Sequence, residues 1–339
     1  MASLELPVGS REPRVDLLIV EAGRLEAELR RRRGRVLLAK RYGGPEARID
    51  AEAPLADVPN RVLCGTPRAE IWITPRQAAC HRRRGLTWAE DGCALFGCSR
   101  RQVGERTEED ALEAYRELFA LLDERGYRNL LRVWNYLPRI NQDELGVERY
   151  KRFNVGRARG FEERYGRSVE TEFSASTAVG TPGEDLVVCF AAGREPGIHL
   201  ENPRQTCAYR YPPEYGPKSP SFARGTLAPA GWGETFFLSG TASVVGHETK
   251  HPGDPLGQLD EALANVDALL DCAAGRSGRC RAVQGVRFDL LKTYVRRPEH
   301  FPAIREALAR RLDPATPSIY LEADICRKDL LLEIEGVWL

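Results

Sequence analysis

The chain contains 339 residues, of which 42% are hydrophobic and 29% are charged, a composition typical of globular proteins. Such a length is better divided between two domains of ordinary size than built around one core. Fifty basic and forty-nine acidic side chains leave a net charge of +1. This near-balance provides no broad charged surface for nucleic acid or an anionic membrane, and we expect neither as a partner.

The sequence shows no targeting signal and no membrane span. No stretch approaches the roughly 20 apolar residues that a spanning helix needs. Residues 1–13 contain no apolar segment after a basic start, which a signal peptide would have. We therefore expect a cytoplasmic protein.

The cysteines and histidines lack the spacing of a metal site. The nine cysteines include no CxxC pair, and in the cytoplasm they are expected to be reduced thiols. His247 and His251 are four residues apart, but Gly246 and Pro252 flank them, which favours a loop over a metal-binding helix. We expect neither a metal nor a cofactor.

Two halves of the chain share one order of predicted elements: strand, helix, strand, helix, strand. In the first half these elements lie at residues 93–99, 109–125, 130–136, 146–164 and 185–191. In the second half they lie at residues 235–243, 255–271, 288–295, 301–312 and 329–335. The helices show apolar stripes at steps of three and four residues, and the strands are short runs rich in branched and aromatic residues.

This order predicts an α/β (α+β) fold of two tandem domains with mixed sheets and helices packed on one face of each sheet. We place the first domain at residues 60–203 and the second at residues 220–339. Residues 1–59 are an N-terminal segment that we assign to the first domain. Residues 204–219 are a proline-rich linker loop that we expect to contribute to the functional site.

Seven segments resemble the chorismatases, which are two fused copies of the RidA/YjgF-like fold. In chain order they are WNYLPRIN (134–141), GRARGF (156–161), LENPRQ (200–205), YRYPPEYGPKSPSFAR (209–224), SGTASVVGH (239–247), LKTYVRR (291–297) and DICRKDLLLEIEG (324–336). Seven matches in the right order are far more specific than any single one. The resemblance implies that the substrate is chorismate and that its enolpyruvyl group leaves as pyruvate.

Removal of an enolpyruvyl group can begin with a proton. Protonation of the terminal methylene of the vinyl ether gives an oxocarbenium ion, and a carboxylic acid with a pKa raised by burial can supply that proton. The resemblance implies that Glu333 is this acid. Strand alternation places Glu333 and Glu335 on the face opposite Leu332 and Ile334. Periodicity alone leaves open that Glu333 faces water from an edge strand.

The first half is expected to lack the acid. Aligning residues 185–189 with 329–333 places Cys189 where the second half has Glu333. The chain is therefore expected to contain one active site.

Two further residues bear on the product. Gly240 in SGTAS and Cys326 in DICRKD resemble the hydroxybenzoate-forming chorismatases, whereas alanines in these contexts resemble the hydrolases. In the hydroxybenzoate class the 4-hydroxyl of the substrate is thought to attack internally. Gly240 would leave room for the ring and Cys326 would steer the intermediate. The resemblance favours 3-hydroxybenzoate and leaves open that 4-hydroxybenzoate forms as well.

The two carboxylates of chorismate need cationic or hydrogen-bonding partners, for which the planar guanidinium of arginine is well suited. Arg157 is the best candidate, because it falls on the apolar stripe of its predicted helix. The RidA family usually has an arginine near residues 316–320, where this chain reads TPSIY. We therefore also nominate other residues from the resembling segments as substrate-binding: Tyr211, Tyr215, Arg224 and Arg296.

Three rival functions stay open at this point. The nearest is a chorismate hydrolase that gives 3,4-dihydroxycyclohexa-1,5-diene carboxylate and pyruvate. The others are an imine hydrolase of RidA type and a non-catalytic RidA-like ligand-binding protein. The protein is expected to be a monomer or a small homo-oligomer.

Overall fold

A computed structural model describes residues 15–43, 53–233, 235–277 and 288–339, without the side chains of residues 167 and 168. Residues 1–13, on which the expectation about a signal peptide rests, lie outside this part of the chain. No helix within it is long and apolar enough to cross a membrane.

The N-terminal residues form a sheet of their own. Its elements are β1 (Asp16–Glu21), α1 (Leu25–Arg31), β2 (Val36–Tyr42), β3 (Leu55–Val58) and β4 (Arg68–Ile73). The strands lie in the order β1-β4-β2-β3, so β4 pairs with both β1 and β2. The boundary predicted at residue 60 therefore cuts through this sheet.

A six-stranded middle sheet follows. Its elements are β5 (Ala79–Arg83), β6 (Leu86–Glu90), β7 (Ala94–Gln102), α2 (Thr107–Arg125), β8 (Asn129–Pro138), a hairpin of β9 (Asp143–Glu144) and β10 (Val147–Glu148), α3 (Arg149–Tyr165), β11 (Ala175–Thr181) and β12 (Asp185–Gly193). The order is β11-β8-β12-β7-β6-β5. Helices α2 and α3 contact each other through aromatic side chains such as Phe119 and Phe161, whose ring centroids are 5.0 Å apart.

The third sheet contains the C-terminal strand. Its elements are β13 (Ile198–Leu200), β14 (Gly225–Leu227), β15 (Phe236–Thr241), a hairpin of β16 (Val244–Val245) and β17 (Glu248–Thr249), α4 (Pro255–Ser277), β18 (Leu290–Val295), α5 (Phe301–Ala309), β19 (Ser318–Glu322) and β20 (Leu332–Trp338). The order is β13-β14-β15-β20-β18-β19. Short 3-10 helices lie at Ala22–Arg24, Gly166–Glu172, Ala208–Arg210, Pro213–Tyr215 and Pro298–His300.

All three sheets contain the same four-stranded unit. The first strand pairs antiparallel with the last, the last pairs antiparallel with the second, and the second pairs parallel with the third. The predicted α/β fold, with mixed sheets and helices on one face, is confirmed in the middle and third sheets. The N-terminal sheet is a further copy of this unit that the predicted division into two domains did not include.

The three units meet along their second strands. Tyr42, Tyr136 and Tyr294 hold the same place on β2, β8 and β18, and the hydroxyls of Tyr42 and Tyr136 are 3.3 Å apart. Opposite these tyrosines on the last strand of each unit lie Arg68, Val187 and Glu333. The counterpart of Glu333 in the middle sheet is therefore Val187, and the predicted alignment with Cys189 is wrong by two residues. The expectation that this unit lacks the acid still holds.

Several strands were not predicted from the sequence, among them one strand of the repeated unit in each of the middle and third sheets. Neither β11 nor β19 was predicted, and each is a short edge strand that pairs in parallel with a longer central strand. β11 (ASTAVGT) consists mostly of small residues, and β19 (SIYLE) has only five residues, so the tertiary pairing identifies them. Of the two, β11 matters for function, because it forms part of the wall of the functional site.

Candidate active site

A cavity of about 270 Å³ lies where the middle and third sheets meet. Its walls come from α3, β11, β15, the end of the loop before β20, β20 itself and the proline-rich segment 204–219. Seven of the eight predicted site residues line it: Arg157, Tyr211, Tyr215, Arg224, Gly240, Cys326 and Glu333. Residues distant in the sequence are thus brought to one small cavity, which is the usual form of a ligand-binding site.

Glu333 reaches this cavity from the face of β20 that points away from the helices. Leu332 and Ile334 pack under α4 and α5, so alternation along the strand turns Glu333 and Glu335 towards the centre of the molecule. Glu333 is only 4% exposed. Burial, together with the negative charge of Glu335, raises its pKa to about 8, against the opposing effect of Arg132 and Arg224. Its carboxyl is therefore largely protonated at neutral pH.

Gly240 makes room for this carboxyl. A β-carbon built on Gly240 would collide with Oε1 of Glu333 and would lie 2.7 Å from its Cδ. It would also lie 3.3 Å from Cγ2 of Thr177 on β11. The absence of a side chain at residue 240 therefore determines where the Glu333 carboxyl can lie.

Cys326 lies in the loop that precedes β20. Burial, then the neighbouring Glu333, raises the pKa of its thiol to about 12. The side chain packs against the apolar residues of two clusters, one between the sheets and one beneath α2 and α3. Cys326 is therefore a neutral, weakly polar wall of the cavity rather than a nucleophilic thiolate.

Two of the predicted arginines, Arg157 and Arg224, line the cavity and have N–H groups without a hydrogen-bond partner among the described residues. Arg157 is 1% exposed, and its Nη2 donates to Asn154 Oδ1 at 2.9 Å. Arg224 donates from Nη2 to the Thr206 carbonyl at 3.0 Å and to the Tyr211 hydroxyl at 2.8 Å. The Nε atom of each is buried and has no hydrogen-bond partner among the described residues. An unpaired buried donor is costly, so both guanidinium groups are suited to an anion in the cavity.

Arg327 is a cavity residue that sequence analysis missed. Its Nη1 donates to the His247 carbonyl at 2.8 Å, and its guanidinium lies 4.2 Å from the ring centroid of Tyr215. Its Nη2 is buried without a partner in the described part of the chain. Its position directly after Cys326, in the segment DICRKD, was the only hint that the sequence offered. Nothing in the sequence distinguished this arginine from a surface charge.

The tyrosines of the proline-rich segment hold these arginines. The rings of Tyr211 and Tyr215 are 5.4 Å apart, and the Tyr215 hydroxyl lies 3.2 Å from Nδ1 of His247. Arg327 stacks over both rings, and Tyr211 accepts a hydrogen bond from Arg224. The loop thus contributes an aromatic wall that positions two cations.

Arg296 does not line this cavity. Its guanidinium donates to the carbonyls of Ile325, Arg327 and Leu330 at 2.7–2.9 Å and to the side chains of Asn141 and Asp324. With these contacts Arg296 holds the loop 324–330, which carries Cys326 and Arg327. The predicted role of Arg296 in substrate binding is therefore replaced by a role in supporting this loop.

Other cavity residues also escaped prediction. Gln205 donates to the Val244 carbonyl at 3.0 Å while its Oε1 is buried without a partner among the described residues. Further charged side chains line the cavity, namely Glu148, Lys151, Glu214 and Lys328. In the described ranges no group of three or more His, Cys, Asp or Glu side chains is placed to hold a metal ion.

The arrangement defines an enzyme-like site, in which one buried acid faces a small cavity rich in arginine donors. Comparison with known proteins agrees. Residues 70–192 match the family model of the FkbO/Hyg5-like chorismatase N-terminal domain. The chain is 39% identical to a 3-hydroxybenzoate synthase of Streptomyces hygroscopicus over 303 residues, which are 87% of this chain and 86% of that protein.

Two further comparisons cover most of the chain. A chorismatase of Streptomyces rapamycinicus is 37% identical over 276 residues, which are 79% of this chain and 81% of that protein. A crystal structure of a chorismatase superimposes with a TM-score of 0.86 at 31% identity, covering 97% of this chain and 99% of the other. The chain belongs to the chorismatase family.

Proposed function

We propose that this protein is a chorismatase that converts chorismate into 3-hydroxybenzoate and pyruvate. One observation carries the proposal. A buried carboxyl with a pKa raised to about 8 faces a cavity whose arginines present unpaired donors. Chorismate needs both features, because it has an acid-sensitive vinyl ether and two carboxylates.

Glu333 is the general acid in this proposal. Its proton moves to the terminal methylene of the enolpyruvyl group, where a C–H bond forms as the O–H bond breaks. The ether carbon becomes an oxocarbenium centre, and Glu333 is left as a carboxylate. At the corresponding place the other two units have Arg68 and Val187. We therefore infer one such acid per chain.

In this proposal different arginines bind the two carboxylates of chorismate. The positive charge of Arg224 acts on Glu333 and opposes the rise in its pKa. We assign the enolpyruvyl carboxylate to Arg224, because this group must lie beside the acid that protonates its methylene. We assign the ring carboxylate to Arg157 and Arg327, because both line the cavity and each has a buried N–H group without a partner among the described residues.

The product follows from what attacks next. The 4-hydroxyl oxygen bonds to ring C3 as its own O–H bond and the C3–O ether bond break, and pyruvate leaves. The hydroxyl proton returns the Glu333 carboxylate to its acid form. Opening of the resulting epoxide at C4 with loss of the ring proton gives 3-hydroxybenzoate, so all atoms of chorismate are conserved. The neutral thiol of Cys326 supports this route, because it offers a weakly polar wall where a competing water would otherwise be held.

Incubation of the purified protein with chorismate tests the proposal. Chromatography against 3-hydroxybenzoate, 4-hydroxybenzoate and the dihydrodiol acid should show 3-hydroxybenzoate and an equal amount of pyruvate. In ¹⁸O-labelled water the hydroxybenzoate should remain unlabelled. The dihydrodiol acid as the product, labelled or not, would instead identify a hydrolase, because water can attack the oxocarbenium carbon and leave its oxygen in pyruvate. Unchanged chorismate would refute both.

A further inference from the structure

The centre of the molecule contains a buried charge network outside the cavity. Lys40, Glu70, Lys292, Glu335 and Arg132 are each at most 2% exposed. Lys292 forms ion pairs with Glu335 and, at 3.0 Å, with Glu70, which also pairs with Lys40. The network lies where the three units meet and joins strands from all of them. Such a costly arrangement of buried charges invites a functional explanation.

Arg132 connects this network to the cavity. It lies on β8 of the middle sheet, and its Nη2 donates to Glu335 Oε2 on β20 at 2.6 Å. The same nitrogen donates at 2.5 Å to Oγ1 of Thr177, a residue of the cavity wall. Its Nε and Nη1 are buried and have no hydrogen-bond partner among the described residues. The middle unit, which lacks the acid, thus supplies a buried cation beside it.

Glu333 and Glu335 lie on the same face of β20, two residues apart. This spacing separates their Cα atoms by roughly 6.5–7 Å in a strand. Lys292 and Arg132 outweigh the effect of burial on Glu335 and lower its pKa to about 2, so Glu335 is a permanent negative charge. Glu335 and Arg132 act on Glu333 in opposite senses, the first favouring its protonated form and the second its ionised form.

We propose that Arg132 is a positioning residue for Glu333, and that the Arg132–Glu335 pair balances the two charge states through which this acid must pass. Glu335 holds the proton on Glu333 while the substrate binds. Arg132 is the counter-charge that the Glu333 carboxylate meets once its O–H bond has broken and the proton has moved to carbon. Arg132 also holds Thr177, and with it the cavity wall opposite Gly240. This inference rests on the proposed role of Glu333.

The test is the pH dependence of kcat/KM for chorismate in two single variants. Arg132→Met removes the cation, so the loss of activity at high pH should move upwards by about half to one pH unit. Glu335→Gln removes the anion, so the same loss should move downwards by a similar amount. A merely structural ion pair would lower activity in both variants without moving the profile in opposite directions.

Two controls sharpen the experiment. Arg132→Lys keeps the charge and should leave the position of the profile unchanged while kcat falls, because the shorter lysine side chain does not bring its ammonium to the place of Nη2, which holds both Glu335 and Thr177. The Lys40→Met/Glu70→Gln double variant removes another ion pair of the network and leaves Arg132 and Glu335 in place. It should leave the profile in place.

Shifts in the same direction, or no shift in either single variant, would overturn the inference. If Arg132→Met fails to fold, Arg132→Gln carries the same expectation with less disturbance of the hydrogen bond to Thr177. Glu333→Gln separates this inference from the proposed function. An active Glu333→Gln variant would overturn the role of Glu333 itself. If Glu333→Gln is inactive but the pH profiles of Arg132→Met and Glu335→Gln are not shifted, only the role of Arg132 is refuted.

Discussion

Gly240 and Glu333 are so close that a β-carbon on the glycine would occupy the place of the glutamate carboxyl. The two residues lie on β15 and β20, neighbouring strands of the third sheet, whose pairing is interrupted between Leu238 and Thr241. This irregularity brings Gly240 against the carboxyl. The position of the acid therefore depends on the smallest residue of the site.

Substitution of Gly240 should displace the acid. In Gly240→Ala the Glu333 carboxyl must turn away from the new methyl group, and a misplacement of about 1 Å should lower kcat for 3-hydroxybenzoate formation by roughly 100-fold. Rates of 3-hydroxybenzoate formation measure the effect, with circular dichroism to verify the fold. Gly23→Ala is a suitable control, since a β-carbon there meets nothing within 4 Å. Wild-type kcat in Gly240→Ala would show that the carboxyl position is not critical.

The pH dependence should show an acid that works in its protonated form. Burial and the charge of Glu335 raise the pKa of Glu333 to about 8, so the carboxyl holds its proton below this pH and loses it above. We expect kcat/KM to be nearly constant up to about pH 7, to be halved near pH 8 and to fall about tenfold per unit well above it. The measurement is a series of initial rates at constant ionic strength. A rate that rose above pH 8 would identify a base instead.

Cys326 should resist alkylation. Burial and Glu333 raise the pKa of its thiol to about 12, so the thiolate that reacts with iodoacetamide is scarce at pH 8. Peptide mapping by mass spectrometry after brief treatment should find Cys80, which is exposed, labelled before Cys326. Rapid labelling of Cys326 with loss of turnover would contradict its description as a neutral wall.

Arg157 and Arg296 should differ in what their loss affects. Arg157→Gln removes a buried cation with an unpaired Nε, so KM for chorismate should rise roughly 10- to 100-fold with little loss of stability. Arg296→Gln removes the donor that holds the loop 324–330 and should lower the free energy of unfolding by about 3 kcal/mol. Kinetics and thermal denaturation measure the two effects. Equal effects of both variants on KM would argue that Arg296 also binds substrate.

The repeated order of strands and helices was readable from the sequence because apolar periodicity is a local property. The apolar stripe from Leu112 to Leu122 lies within helix α2, and the alternation around Glu333 lies within strand β20. Edge strands β11 and β19 carry no such pattern and become strands only through their parallel partners. The N-terminal unit was missed because its last strand, β4, joins the unit only by pairing with β1 and β2 across the boundary predicted at residue 60.

The sequence by itself determined the family, the α/β class and seven of the residues that line the cavity, because short segments such as DICRKDLLLEIEG contain recognisable combinations of residues. Only the tertiary structure decided which arginines face the cavity, placing Arg327 there and Arg296 behind the loop. It also decided that the Glu333 carboxyl is buried beside Glu335 and Arg132. Direction, burial and the electrostatic effect of one charge on another depend on packing between distant strands, and no local pattern records that packing.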